Sequence, residues 1–147
     1  MVVFANPFKL LKHGVLGMNM RNVDFVYAYN PRHLFPQVDD KLITKRLAEN
    51  AGIAVPKLYG VVQFQHQIKL LPKLLESYDQ FVVKPSKGSG GKGILVVTGK
   101  QNEYYIKASG SLFDKNDLDH HVSNIVSGLY SLGGQIDSAM IEYYVNF

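Results

Sequence analysis

Residues 81–97 read FVVKPSKGSGGKGILVV, and this stretch decides the fold. An apolar strand ends in Lys84, a loop follows with four glycines between residues 88 and 93, and a second apolar strand covers 94–97. Glycine lets a backbone approach a ligand closely, and free backbone N–H groups bind phosphate oxygens. A lysine at the end of an apolar strand also needs an anionic partner or a route to water. The stretch therefore predicts a strand–loop–strand flap over an anionic ligand.

The loop departs from the common phosphate-binding motifs. A P-loop would need glycine where the chain has Ser86, and serine or threonine where it has Gly93. The spacing Gly88-x-Gly90-x-x-Gly93 matches the dinucleotide motif, but that motif opens a helix and here a strand follows. Kinase flaps place their phosphate lysine on a later strand, whereas Lys84 precedes the loop. The remaining alternative is a mobile hairpin with solvated lysines.

The elements on both sides of the flap predict an α+β fold. Upstream, Asp39 or Asp40 caps a helix that Gly52 ends, followed by a strand at 58–64 and a weaker helix at 68–78. Downstream, a third strand covers 103–107 and a final strand covers 139–145. From residue 78 the order is β-β-β-α-β, which predicts an antiparallel sheet with a helix on one face.

The long helix between the last two strands has a clear apolar face. Asn116 or Asp117 is predicted to cap it, and Gly133-Gly134 to end it. Its apolar face is predicted to consist of Leu118, Val122, Ile125, Val126 and Leu129. Asp114, Asp117 and Asp119 fit a helix start better than a metal site, and His120-His121 lacks further zinc ligands at suitable spacing.

Composition narrows the class of protein. Hydrophobic residues make up 46% of the chain and charged residues 19%, which is typical of a globular protein. The absence of cysteine excludes disulfides, thiolate catalysis and cysteine zinc sites. The net charge of +4 is scattered, which suits nucleotide phosphates better than nucleic acid. Without a signal peptide or a spanning segment, we expect a cytoplasmic protein with no membrane partner.

Three motifs, in this order, resemble the ATP-grasp superfamily. They are Asp40-Lys41 with a Gly52–Pro56 exit, the strand of Lys84 with its flap, and the strand Met140–Val145 with its acidic residue Glu142. Within the superfamily the chain is most similar to α-L-glutamate ligase-like proteins, which are related to the enzymes that add glutamate to ribosomal protein S6. The resemblance implies a small N-terminal α/β region followed by an ATP-binding subdomain.

The resemblance also implies which residues bind ATP. Lys41 and Lys84 would hold the α- and β-phosphates, and the flap would close over the β- and γ-phosphates. Glu142 would contact the adenine amino group or make a neighbouring hinge contact, and the backbone from Tyr143 to Val145 would read the adenine edge. The implied nucleotide-binding residues are Lys41, Lys84, Ser86, Gly88, Ser89, Gly90, Gly91, Lys92, Gly93, Glu142, Tyr143 and Val145.

The resemblance places the Mg²⁺ ligands and an acyl-phosphate arginine on a C-terminal subdomain, beyond Phe147. We therefore expect a fragment or split gene product: the ATP-binding portion of a carboxylate–amine ligase, inactive alone, with no catalytic or metal-binding residues and some self-association. The full-length protein would act on small-molecule or peptide carboxylates and amines. The alternative is a non-catalytic interaction or regulatory module. We expect three regions: an arm at 1–38, a helix–strand–helix region at 39–77 and the ATP-binding subdomain at 78–147.

Overall fold

The computed structural model describes residues 5–146, and the chain divides into one unit ending at Val38 and a second beginning at Asp39. The first unit consists of short helices. They are α1 (Pro7–Lys12), α2 (Met18–Met20), a π-helix (Arg21–Tyr27) and a 3-10 helix (Arg32–Leu34), and α3 (Pro36–Asp39) follows. Asn6 caps α1 by accepting a hydrogen bond from the Phe8 N–H at 3.0 Å. The rings of Tyr27 and Phe35 stack at 6.1 Å.

The second unit is a sheet with helices. Its helices are α4 (Lys41–Asn50), a 3-10 helix (Gln65–Leu70), α5 (Leu71–Leu74), α6 (Lys115–Val126) and a 3-10 turn (Leu132–Gly134). Its strands are β1 (Leu58–Val62), β2 (Phe81–Pro85), β3 (Leu95–Gln101), β4 (Tyr104–Lys107), β5 (Leu112–Phe113) and β6 (Ala139–Glu142). The finer division at residue 77 stays a prediction.

The six strands form one sheet in the order β1-β6-β2-β3-β4-β5, and every neighbouring pair is antiparallel. The predicted antiparallel sheet is therefore confirmed. Lys84 pairs with Met140, and Val82 pairs with Glu142, on the neighbouring interior strands β2 and β6. Because side chains alternate along a strand, Lys84 and Glu142 lie diagonally on the same face.

The opposite face carries the core. The side chains of Phe81, Val83 and Ile141 are fully buried there. Helix α6 covers them with four residues of its predicted apolar face, which are Leu118, Val122, Ile125 and Val126. Helix α6 therefore lies on the face opposite Lys84, while Lys45 of α4 reaches Glu142 on the Lys84 face.

The structure corrects both predicted ends of α6. Asp114 caps the helix, because its side chain accepts from the Asp117 N–H at 2.9 Å while Asp117 accepts from the Asp114 N–H at 3.2 Å. Gly128, with φ +86°, ends the helix well before Gly133-Gly134. Leu129 therefore lies outside the helix and is 65% exposed, so its assignment to the apolar face was wrong.

Other elements differ in extent. The helix expected at 68–78 is a 3-10 turn followed by the single turn of α5, because Pro72 is tolerated only in the first turn of a helix. The strand expected at 139–145 ends at Glu142, where the pairing with both β1 and β2 also ends. The two-residue strand β5 was not predicted. Within residues 5–146, no helix has the length and apolar character needed to cross a bilayer.

Candidate functional site

The start of α4 is fixed against the end of β2. Asp40 caps α4 by accepting a hydrogen bond from the Leu42 N–H at 2.9 Å, and it also accepts one from the Ser86 hydroxyl. The Lys41 N–H donates to the carbonyl oxygen of Ser86 at 2.9 Å. Two hydrogen bonds therefore hold the first residue of the flap to the start of the helix.

Lys41 directs its side chain toward the flap. Its ammonium group donates to the carbonyl oxygen of Gly88 and lies 3.4 Å from that of Ser86. A cation in the first turn of a helix is opposed by the helix dipole, and these carbonyl oxygens offset that cost. The structure thus brings Lys41 to the flap, while its contact with phosphate stays a prediction.

Lys84 shares the carboxylate of Glu142 with a second lysine. The Lys84 ammonium contacts Oε1 of Glu142, and the Lys45 ammonium lies 3.3 Å from Oε2. Lys45 also donates to the carbonyl oxygen of Pro56. The side chains of Lys45 and Glu142 are 6% and 5% exposed, whereas that of Lys84 is 25% exposed. Lys84 is therefore the member of this cluster that solvent and ligands reach.

The segment after β6 runs along the edge of this cluster. The Tyr143 N–H donates to the carbonyl oxygen of Lys57 at 2.8 Å, so that N–H is already engaged. The side chains of Tyr143 and Val145 are exposed. The carboxylate of Glu142 is engaged by the two lysines, so its contact with the adenine amino group stays a prediction.

The tip of the flap is open. Gly90 and Gly91 adopt φ values of +62° and +73°, with nothing within 4 Å of where a Cβ would stand. Among the described residues, the N–H groups of Gly90 and Gly91 have no hydrogen-bond acceptor. Lys92, next to them, is exposed. Two free N–H donors beside a lysine are a donor set that fits phosphate oxygens.

The flap has two anchors that the sequence analysis missed. The first is Asp137, whose side chain is buried. Its two carboxylate oxygens accept from the Lys87 N–H at 3.0 and 3.1 Å, and it also accepts from the Ser131 hydroxyl at 2.6 Å and the Ser138 N–H at 2.7 Å. The near end of the flap is thereby fixed to the loop that precedes β6.

The second anchor holds the far end of the flap. Nε2 of His121, on α6, lies 3.0 Å from the carbonyl oxygen of Gly93, so this nitrogen carries the donated proton. The Tyr130 ring packs beside His121 at 5.8 Å and also covers Gly93. Burial lowers the pKa of His121, and the charge of Lys107 acts in the same direction, against the raising effect of the Gly93 hydrogen bond.

One of the missed residues left a signal in the sequence. Lys45 follows Lys41 by four residues in a helix, so both project from the same face. Asp137 and His121 left none, because they meet flap residues 50 and 28 positions away.

Metal ligands do not gather in this part of the chain. Among residues 5–146, no three His, Cys, Asp or Glu side chains group in a way that could hold a metal ion. The location of the Mg²⁺ ligands beyond this chain stays a prediction.

Comparison with known proteins agrees with this geometry. A family model described as sugar-transfer associated ATP-grasp matches residues 20–147, which is well over half of the chain. No curated protein and no solved structure matches. The match confirms the predicted superfamily, while the closer resemblance to glutamate ligase-like proteins stays a prediction. The chain belongs to the sugar-transfer associated ATP-grasp family.

Proposed function

We propose that this chain is the ATP-binding portion of an ATP-dependent carboxylate–amine ligase. One observation carries the proposal: Lys41 and Lys84 both lie next to the flap, whose tip has unpaired N–H groups. Lys41 touches the flap at Gly88, and Lys84 stands two residues before the flap begins. ATP would supply the phosphoryl group that activates a carboxylate as an acyl-phosphate for attack by an amine.

The chain's own residues would bind and orient the nucleotide. Phosphoryl transfer depends mainly on positioning and on neutralising charge, which are the two things that lysines and backbone N–H groups provide. Lys84, which is a quarter exposed, would pair with one phosphate, and the N–H groups of Gly90 and Gly91 would close over a further phosphate. The backbone from Tyr143 to Val145 would receive the adenine edge. Cytoplasmic location and small-molecule or peptide substrates belong to the same proposal.

Calorimetric titration with ATP, with and without Mg²⁺, tests the proposal. Replacing Lys84 with alanine removes one charge-assisted contact, so we expect the Kd for ATP to rise roughly ten- to a hundredfold. Lys107→Ala is the matched control, because Lys107 is also a half-buried lysine at the end of a strand, and its ammonium instead lies 5.2 Å from the Phe113 ring centroid. The control should bind ATP as the unchanged protein does.

Two outcomes argue against the proposal. If the unchanged chain binds no ATP with or without Mg²⁺, the non-catalytic module becomes the better hypothesis. If Lys84→Ala and Lys107→Ala lose affinity equally, Lys84 has no specific role at the phosphates. A separate binding assay uses a labelled oligonucleotide at two salt concentrations. If no salt-sensitive binding appears, the chain is not a nucleic-acid-binding domain.

A further inference from the structure

The buried partner of Glu142 has no role in the function proposed above. Lys45 does not belong to the motifs, and its side chain is nearly inaccessible, so it cannot touch a nucleotide in this arrangement. It nevertheless holds one carboxylate oxygen of Glu142 and the carbonyl oxygen of Pro56. Both of its partners are fixed parts of the fold, since Glu142 lies on the interior strand β6 and Pro56 precedes β1.

The two lysines that contact Glu142 differ in exposure, and therefore in whether they can move from its carboxylate to a ligand. Lys84 is a quarter exposed and takes Oε1, whereas Lys45 is buried and takes Oε2. A phosphate that approaches the exposed part of the Lys84 side chain would draw its ammonium group away from Oε1. Glu142 would then keep a buried charge, and a buried charge without a partner is strongly unfavourable. Lys45 supplies that partner.

We propose that Lys45 is a positioning residue that keeps Glu142 neutralised, so that Lys84 is free to pair with a nucleotide phosphate. No covalent step is involved: the cluster carries two positive charges and one negative charge, and the surplus positive charge is available to the ligand. Without Lys45 the pair would be neutral and Lys84 would be held by Glu142. The inference rests on the proposed function for its ligand and on the Lys45–Glu142–Lys84 contacts for its geometry.

Binding measurements on the full chain separate this role from a structural one. Lys45→Gln keeps a donor for the Pro56 carbonyl but removes the charge. We expect it to weaken ATP binding roughly tenfold while leaving adenosine binding unchanged, because adenosine has no phosphate for Lys84. Arg46→Gln, an exposed cation next in sequence on α4, is the matched control and should change neither affinity.

A double-variant comparison identifies the group through which Lys45 acts. Glu142→Gln removes the carboxylate that competes with phosphate for Lys84. In that background Lys45 has no negative charge left to neutralise. Adding Lys45→Gln should then alter ATP affinity by less than about twofold, the limit expected for uncoupled sites. An effect as large as in the unchanged background would overturn the inference, as would an equal loss of ATP and adenosine binding in Lys45→Gln.

A measurement without nucleotide keeps the inference separate from the proposed function. Acylation of Lys84 by a limiting amine-reactive reagent, followed by mass spectrometry, reports how tightly the amine is held. Lys45→Gln should slow labelling of Lys84, whereas local unfolding would accelerate it. If the unchanged chain binds no ATP, the proposed function fails. The role of Lys45 is refuted separately if Lys84 is labelled at the same rate in Lys45→Gln as in the unchanged chain.

A charge-preserving variant covers the case in which Lys45→Gln does not fold. Lys45→Arg keeps the positive charge beside Glu142, so a folded Lys45→Arg protein should retain both ATP affinity and the Lys84 labelling rate. Loss of ATP binding in this variant, with its melting curve intact, would show that the charge at position 45 is not what matters.

Discussion

Replacing Asp137 with alanine should destabilise the fold strongly. The carboxylate is buried and accepts from three groups, the Lys87 N–H, the Ser131 hydroxyl and the Ser138 N–H. A hydrogen bond to a charged group contributes about 1.5–3 kcal/mol, and a buried donor left without a partner adds its desolvation cost. Because these contributions share one side chain and are not additive, we expect a total loss of about 3–5 kcal/mol.

Urea unfolding of the full chain measures this loss. Asp137→Asn keeps the shape of the side chain but replaces one acceptor with a donor, so it should cost about 1.5–3 kcal/mol, less than alanine. Asp79→Ala is the control, because the Asp79 side chain is 81% exposed and should leave the transition unchanged. A loss below about 1 kcal/mol for Asp137→Ala would refute the reasoning, since charged hydrogen bonds of ordinary strength could not all have been lost.

Three further predictions concern the flap and its supports. Gly93→Ala places a Cβ 2.5 Å from the Tyr130 ring at φ +77°, so the free energy of unfolding in urea should fall by about 1–3 kcal/mol. Burial lowers the pKa of His121, so the unfolded chain binds its proton first, and stability should decrease as the pH falls below about 6.5. His121→Gln should flatten that part of a Tm-versus-pH curve. Asp40→Ala removes a helix cap and the partner of the Ser86 hydroxyl, and should cost about 1–2 kcal/mol in urea unfolding, whereas Asp40→Asn should cost less.

Each of these predictions has a result that contradicts it. A Gly93→Ala protein as stable as the unchanged chain would mean that the tyrosine ring moves aside without cost. An unchanged pH curve in His121→Gln would assign the acid sensitivity to other groups. Equal losses for Asp40→Ala and Asp40→Asn would indicate that charge, rather than the cap, is what Asp40 contributes.

The sequence predicted the parts of this fold that local patterns determine. The strand at 81–84 and its glycine loop were found because alternating burial and glycine conformations are local properties, and β2 indeed begins at Phe81. Asp40 was a predicted cap because a carboxylate one residue before a helix has a local acceptor role. Such features depend on neighbours within a few positions in the chain.

The parts that failed depend on tertiary contacts. Gly128 ends α6 with a φ of +86°, and a Cβ there would collide with the backbone of Gln135, a contact that no local pattern reports. The sharing of Glu142 between two lysines, one of them 97 positions distant, follows from the strand order and could not be read from spacing. Asp137 looked like an ordinary loop residue, because its burial exists only once the flap folds back over it.

The two anchors of the flap set a limit on how far it can travel. With Gly88 paired to Ser131 and to the Lys41 ammonium, and the Gly93 carbonyl held by His121, only the four residues from Ser89 to Lys92 can move, within the part of the chain that the structure describes. At roughly 3.4 Å per residue the span between Gly88 and Gly93 is about 17 Å, so its midpoint can be displaced by no more than about 8 Å. A displacement of this size is enough to cover a phosphate group but too short to enclose a whole nucleotide and a second substrate. Shielding of the reacting carboxylate from water would therefore have to come from a different part of the protein.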